Sequence, residues 1–216
     1  RATRGEFYAL ALFSASGMCL LAQATDLIVV FIALEVMSLA VYCLTAYLRR
    51  GKRPAEAAFK YFVLGSFASA IFLYGAALAF GATGSTRLGD VAAALRTGGP
   101  AGASTLLYAA AALLASGFAF KVAAVPFHMW VPDVYDGAPA PVTGFMAACT
   151  KVAAFGAILR LVYVGLEANR WDWRAGVIAV AALTMVVGSV LSVTQTDVKR
   201  LLAYSSIAHA GFILVA

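Results

Sequence analysis

The sequence predicts an all-α, polytopic membrane protein: a bundle of about seven transmembrane helices. Three observations carry this. Of 216 residues, 63% are hydrophobic and only 12% charged, about half the charged share of a soluble domain. The mean hydropathy is +0.89. The apolar residues come in long runs separated by short polar connectors, not in the two-residue alternation of a membrane barrel strand.

About 20 apolar residues span the hydrocarbon core as a helix, and the runs divide on that measure. The first covers 6–23 and stops at Ala24-Thr25-Asp26. The second covers 27–48 and runs into the basic connector RRGKR. The third, 55–81, ends in GATGS, and a small Gly-rich loop fills 82–102. The fourth covers 103–131, the fifth 140–166, the sixth 174–195 and the seventh 197–216. Short connectors make consecutive helices antiparallel neighbours. Small residues at Gly65, Ser69 and Gly75, in register with Leu73, allow close helix contact in the third run. Residue 1 is an arginine with no signal peptide behind it, and the seventh run has no polar cap. The expectation is a single membrane domain, 1–216, from the middle of a longer chain.

Lysine and arginine set the orientation. Arg1, Arg4, Arg49, Arg50, Lys52, Arg53, Lys60, Lys199 and Arg200 fall on one side. Arg87, Arg96, Arg160, Arg170 and Arg174 fall on the other. The first group is expected to face the cytoplasm, with the chain in the inner (plasma) membrane. This bias accounts for most of the net charge of +6, and no nucleic-acid partner is needed. Cys19, Cys43 and Cys149 lie far apart in apolar runs; they suggest small packing residues, not a disulfide framework or a metal site.

Three charges remain near mid-membrane: Glu35 in the second run, Lys121 in the fourth and Lys151 in the fifth. Each costs roughly 2.5–3.5 kcal/mol at the bilayer centre. A buried ion pair about breaks even against apolar side chains, so stability does not explain them. A packing salt bridge between Glu35 and Lys121 is the plain alternative, and it leaves Lys151 unexplained. A buried lysine without a permanent counterion can gain or lose its proton when a nearby charge moves. A glutamate–lysine pair beside a second lysine is therefore a candidate proton relay.

Pro126 follows Lys121 by five residues. It lacks an N–H and clashes with the carbonyl of Val122, so the fourth helix is expected to break just after Lys121. Broken helices at membrane depth are tolerated where the backbone lines a hydrated cavity. The lysine and the proline thus read as one device, a hydrated gap with a titratable amine at its edge. Weaker candidates are His128 after the break, Tyr204, His209 five residues beyond it, and Lys60, which can also snorkel to the surface. Trp130 reads as an interfacial anchor. Asp133, Asp136, Asp197, Lys199 and Arg200 sit at loop depth and are assigned no role. The sequence has no GxGxxG after a strand, no P-loop, no CxxC and no set of haem ligands, so no cofactor is expected in this chain.

The stretch KVAAVPFHMWVPDVYDGAPAPVTGFMAACTKVAAFG resembles the core of the antiporter-like membrane subunits of respiratory complex I, the proton-pumping NADH:quinone oxidoreductase. ATDLIVVFIALEVMSLAVYCLTAY and QTDVKRLLAYSSIAHAGF extend the resemblance over nearly the whole chain. The lysine–PFH–W–PD pattern is shared with Mrp-type cation/proton antiporters and membrane hydrogenases, while PDVYDGAPAPV resembles the branch called N. The resemblance implies proton translocation driven by redox chemistry in other subunits, which would hold NADH, FMN, iron–sulfur clusters and quinone. It implies that the partners are other membrane-arm subunits. Glu35 then matches the glutamate of the family's fifth helix, Lys121 the lysine of the broken seventh and Lys151 the central lysine of the eighth. Lys60, His128 and Tyr204 match positions along the proton path, and His209 a polar position on the tenth helix. Residues 6–166 would form the first of two inverted five-helix repeats, and 174–216 the start of the second. A last channel lysine would lie on a twelfth helix beyond Ala216. Two other readings stay open: an Mrp-like secondary cation/proton antiporter or membrane-hydrogenase subunit, and a passive helical scaffold.

Overall fold

The structure, a computed structural model, describes residues 4–48, 52–97, 103–165 and 170–215. Arg1, Arg49 and Arg50, counted above for orientation, lie outside the described residues. The helices in chain order are α1 (Arg4–Gln23), α2 (Leu27–Thr45), α3 (Lys52–Thr83), α4 (Leu88–Thr97), α5 (Ala103–Val122), α6 (Trp130–Gly137), α7 (Ala140–Phe145), α8 (Lys151–Arg160), α9 (Arg170–Val193) and α10 (Val198–Val215). A π-helical turn, Met146–Thr150, joins α7 to α8, and a second, Leu161–Gly165, follows α8. Among the described residues, seven spans are long and apolar enough to cross a membrane, one on each of the seven runs of the sequence.

Three details depart from the sequence reading. The fourth run does not continue to 131: α5 stops at Val122, and the chain re-enters a helix only at Trp130. That helix, α6, takes in Asp133-Val134-Tyr135-Asp136, which the sequence puts at loop depth. The Gly-rich loop contains α4, with Asp90 in its first turn and Arg96 in its last, charges that suit the two ends of the helix dipole.

Polar contacts tie the connectors together at two ends. At one, Asp26 caps α2 by accepting from Ile28 N–H at 2.8 Å, and its other oxygen accepts from Thr86 Oγ1 at 2.7 Å. Leu27 N–H donates to Thr86 O and Leu88 N–H to Thr25 O, both at 2.9 Å. Arg160 donates to Gln23 O at 2.7 Å. At the other end, Lys60 and Arg200 meet Asp133 at 3.0 and 2.8 Å, and Lys199 donates to the Asp136 and Ala138 carbonyls, each at 3.0 Å. Arg87 and Arg160 thus separate from Lys60, Lys199 and Arg200 as the charge count divides them.

Helices pack in close pairs, α1 with α2, α3 with α5 and α9 with α10. Small residues make the approach possible: a Cβ on Gly188 would stand 2.6 Å from Ala208 N. Leu73 is exposed and takes no part in this. Cys19, Cys43 and Cys149 are free and exposed, on outward faces, where they contribute nothing to core packing. One apolar cluster includes Leu21, Leu34, Met37, Phe72 and Phe118. A second includes Tyr42, Tyr61, Trp130, Tyr135 and Ile207. Lys121 stands at the seam, three residues after Phe118 and next to Phe120.

Candidate functional site

The break in the fourth span is built from its own sequence. The helix ends at Val122, four residues before the proline that cannot continue it. Ala123 takes a left-handed φ of 63°, and Ala124 N–H donates back to Ala119 O at 2.8 Å. The groups freed by the break are held by side chains. Trp130 Nε1–H donates to Phe120 O at 3.0 Å, with its indole stacked on Tyr61 at 4.5 Å and on Phe120 at 5.3 Å. Val125 N–H donates to Thr184 Oγ1 on α9 at 3.0 Å. Trp130 is only 4% exposed, so it is a clamp inside the bundle and not an interfacial anchor. Ala123, Ala124 and Val125 are buried as well. The expected gap lined by free carbonyls is therefore largely closed by Trp130 and Thr184, because an unpaired backbone group in an apolar interior, as in lipid, costs about several kcal/mol.

Lys121 is buried. Its Nζ donates to Ser38 Oγ at 2.7 Å and lies over the rings of Tyr42 and Phe120 at 5.8 and 5.9 Å. Ser38 Oγ donates in turn to Leu34 O. Glu35 accepts from Ser69 Oγ on α3. Glu35, Ser38 and Tyr42 are at positions i, i+3 and i+7 of α2, one face of a helix. That face brings Glu35 and Lys121 to the same region, but each is satisfied by a serine and no direct ion pair joins them.

Lys151 is also buried and opens α8 directly after the π-helical turn. Such turns interrupt the regular hydrogen-bond ladder and recur at functional positions. Lys151 Nζ donates to Ser206 Oγ at 2.6 Å and to Ser206 O at 2.7 Å, both on α10. Each buried ammonium therefore meets a serine hydroxyl.

The secondary candidates divide. His128 is buried, with Nδ1 unpaired, on the irregular segment between the two halves of the broken span. Tyr204 is half-buried on α10, two residues before Ser206. His209 is exposed: its Nδ1–H donates to Ser205 O at 2.8 Å and its ring meets Phe212. It is not brought to Lys151. Lys60 is partly exposed and pairs with Glu56 at 2.9 Å and with Asp133, in a polar recess shared with Arg53 and Asp136. It belongs to the ionic cluster at the basic end. Asp133 is the hub of that cluster. Partial burial alone would raise its pKa, but the hydrogen bonds from Arg200 and Lys60 outweigh it and hold the carboxyl below its usual value.

Sequence reasoning missed Ser38, Ser69, Ser206, Thr184 and Asp133. A weak signal existed for the first two. Ser38 lies one turn after Glu35, and Ser69 interrupts an apolar run. Nothing local distinguishes Thr184. Among the described residues, no group of three or more His, Cys, Asp or Glu side chains is placed to hold a metal ion.

Residues 24–216 match the family model described as NADH:quinone oxidoreductase/Mrp antiporter, transmembrane. NADH-quinone oxidoreductase subunit N of Parafrankia sp. (strain EAN1pec) is 56% identical over 211 residues, covering 97% of this chain and 40% of that protein. The chain thus spans about two fifths of the length of the curated relatives it matches. A chain of respiratory complex I from Thermus thermophilus superposes with a TM-score of 0.84 at 46% identity, over 100% of this chain and 45% of the other. A chain of the Mrp complex from Dietzia sp. DQ12-45-1b gives 0.85 at 28% identity, over 95% and 38%.

Proposed function

The chain belongs to the NADH:quinone oxidoreductase/Mrp antiporter transmembrane family, and from that premise we propose that it is the central part of an N-type membrane subunit of an NADH:quinone oxidoreductase, passing protons through Glu35, Lys121 and Lys151. The subunit carries no redox group in this reading. NADH, FMN, iron–sulfur clusters and quinone belong to partner subunits, and the neighbours are other subunits of the membrane arm. It sits in the inner (plasma) membrane with the basic connectors toward the cytoplasm. Residues 6–166 form the first five-helix repeat and 174–216 the start of the second.

One observation carries the reading. Two lysines are buried at interruptions of membrane helices, each bonded to a serine and neither to a carboxylate. Each costs about 2.5–3.5 kcal/mol at membrane depth, and a leucine would avoid that. Glu35 is held by Ser69, one helical turn from the serine that holds Lys121. A charge arriving near Glu35 changes the field at Lys121 without breaking an ion pair. Lys121 then releases or takes a proton, and Lys151 passes it on. His128, Tyr204, Lys60 and His209 are secondary members of the route.

The test is Lys121→Ala and Lys151→Ala in the intact complex, with proton translocation and quinone reduction measured together. Both activities are expected to fall in both variants. Undiminished activity in both would refute the proposal. The likeness to an Mrp chain favours one alternative, a secondary cation/proton antiporter. That reading expects cation-gradient-driven proton exchange in vesicles without NADH or quinone.

A further inference from the structure

Among the described residues, a cleft of about 470 Å³ lies between α5, the end of α8, the start of α9 and the last turn of α10. Neither buried lysine lines it. Its volume is that of a ligand pocket, about 300–1,000 Å³. The side chains at its inner end are apolar, Val122, Ala124, Phe127 and Val180, and Ser116 higher in the wall already donates to Ala112 O at 2.8 Å. Water is held only where it finds two or more polar partners, and an empty apolar cleft forfeits the dispersion contacts of its walls. An apolar occupant fits; water does not. Ala112, Ala115 and Gly176 are exposed at its edges, and a Cβ on Gly176 would meet nothing within 4 Å. The cleft thus opens sideways between α5 and α9, toward the membrane.

Depth separates the candidate occupants. α9 lines the cleft from Trp173 to Val180 and α5 from Leu107 to Val122, about 10 and 22 Å at about 1.5 Å per residue. One leaflet is about 15 Å deep, half of the hydrocarbon core. Below Val180 the cleft is shut, because Thr184, one turn on, holds Val125 N–H at 3.0 Å. A spanning helix needs the whole core, about 30 Å; one acyl chain needs a leaflet. The mouth suits the other end of a lipid. Trp173 lines it, and the neighbouring Arg174 is exposed, with its guanidinium over the Trp171 ring at 5.7 Å. Arg96 is exposed beside Leu95, another lining residue. Tryptophan settles at the headgroup level, and arginine is well suited to bind phosphate.

We propose that this cleft is a phospholipid site. One acyl chain lies between α5 and α9 with its end against Ala124 and Phe127 of the broken span, and the phosphate sits at Arg96 and Arg174, on the face opposite the basic connectors. α5 packs on α3, and α9 on α10; the chain fills the space the two pairs leave between them. The inference is independent of the proton-path reading, since none of the residues assigned to that path lines the cleft.

The experiment uses the intact complex in vesicles of phosphatidylethanolamine and phosphatidylglycerol, doped with a phosphatidylglycerol that carries a diazirine at the end of one acyl chain. After irradiation, the labelled residues are mapped. Label is expected on 118–127 and 176–180. Ala115→Phe and Gly176→Phe fill the cleft from opposite walls and should lower that label about tenfold or more, since each ring displaces several methylenes of the chain. Arg174→Gln should lower it several-fold. Ile178→Phe, on the exposed face of α9 outside the cleft, should leave it unchanged. Equal label in Gly176→Phe and wild type overturns the site. Absence of label in the wild type also overturns it and gives the cleft to protein, either more of this chain or a neighbouring subunit. The wild-type map and Arg174→Gln decide the question even where a phenylalanine variant does not assemble. Labelling is read without turnover, so its failure is distinct from failure of the proton path.

Discussion

Replacing Thr184 by valine removes one hydroxyl from a position with no solvent exposure and leaves the outline of the side chain nearly unchanged. That hydroxyl accepts the N–H of Val125 at 3.0 Å and donates to Val180 O at 2.6 Å. The second bond is dispensable, because Val180 O sits within an α-helix that supplies its own donor. The first is not. Val125 directly precedes the proline, lies outside any helix and is 6% exposed, so its N–H has no other partner. Leaving a buried donor unpaired costs about 1–3 kcal/mol, which corresponds to about a 5- to 150-fold change in an equilibrium. The population of states in which the segment between α5 and α6 opens should rise by that factor. Amide hydrogen exchange of peptides covering 123–130 in the assembled complex reads it directly, since protection of a locally opening segment follows its opening free energy. Thr184→Ser keeps the acceptor and is expected to exchange as wild type. Equal exchange in the valine variant and wild type would show that α9 does not hold the break.

The ionic cluster gives a pH prediction. Asp133 has a folded-state pKa below its ordinary value of 3.8. Its contribution to docking α6 on α3 and α10 is therefore complete above that value and lost as the pH falls through the folded one. Asp133→Asn should flatten the acid limb of the melting profile, and at neutral pH it should cost little, since partly exposed pairs are each worth about 1 kcal/mol or less. A steep acid limb that survives the substitution would place the cause elsewhere. Gly65 faces Tyr42, and a Cβ there would collide with the phenol oxygen. Gly65→Ala is expected to destabilise the α2–α3 contact by about 1–3 kcal/mol through overpacking. Combining it with Tyr42→Phe should recover part of that loss in a thermal melt.

The spans and the three buried charges were legible because both are one-dimensional signals. A membrane helix declares itself by length and apolarity, and a lysine inside one has few innocent explanations. The break after Lys121 was legible for the same reason: proline acts on the carbonyl four residues earlier whatever surrounds it. Trp130 was misread because tryptophan near the end of a span is commonly an interfacial residue, and only the return of α6 into the bundle places its N–H on Phe120 O. His209 shares a helix with the half-buried Ser206, one turn further on, but its side chain is exposed and bonds Ser205 O instead. Lys60 is about one turn inside the third apolar run, 55–81, on a linear count, yet its partner Asp133 comes from the half-helix α6, at what the sequence reads as loop depth.

By itself the sequence determined the number of spans, the depth of Glu35, Lys121 and Lys151 and the place where a helix had to fail. Each follows from hydrophobic transfer or backbone sterics, which act along the chain. Tertiary structure decided the partners: serines for both lysines, Ser69 for Glu35, Thr184 and Trp130 for the broken backbone, and two tyrosine hydroxyls left without any. Hydrogen bonds act over about 3 Å, between residues as much as 83 positions apart for Lys121 and Ser38. A serine inside an apolar helix carries no mark of which lysine it will meet until the helices have packed.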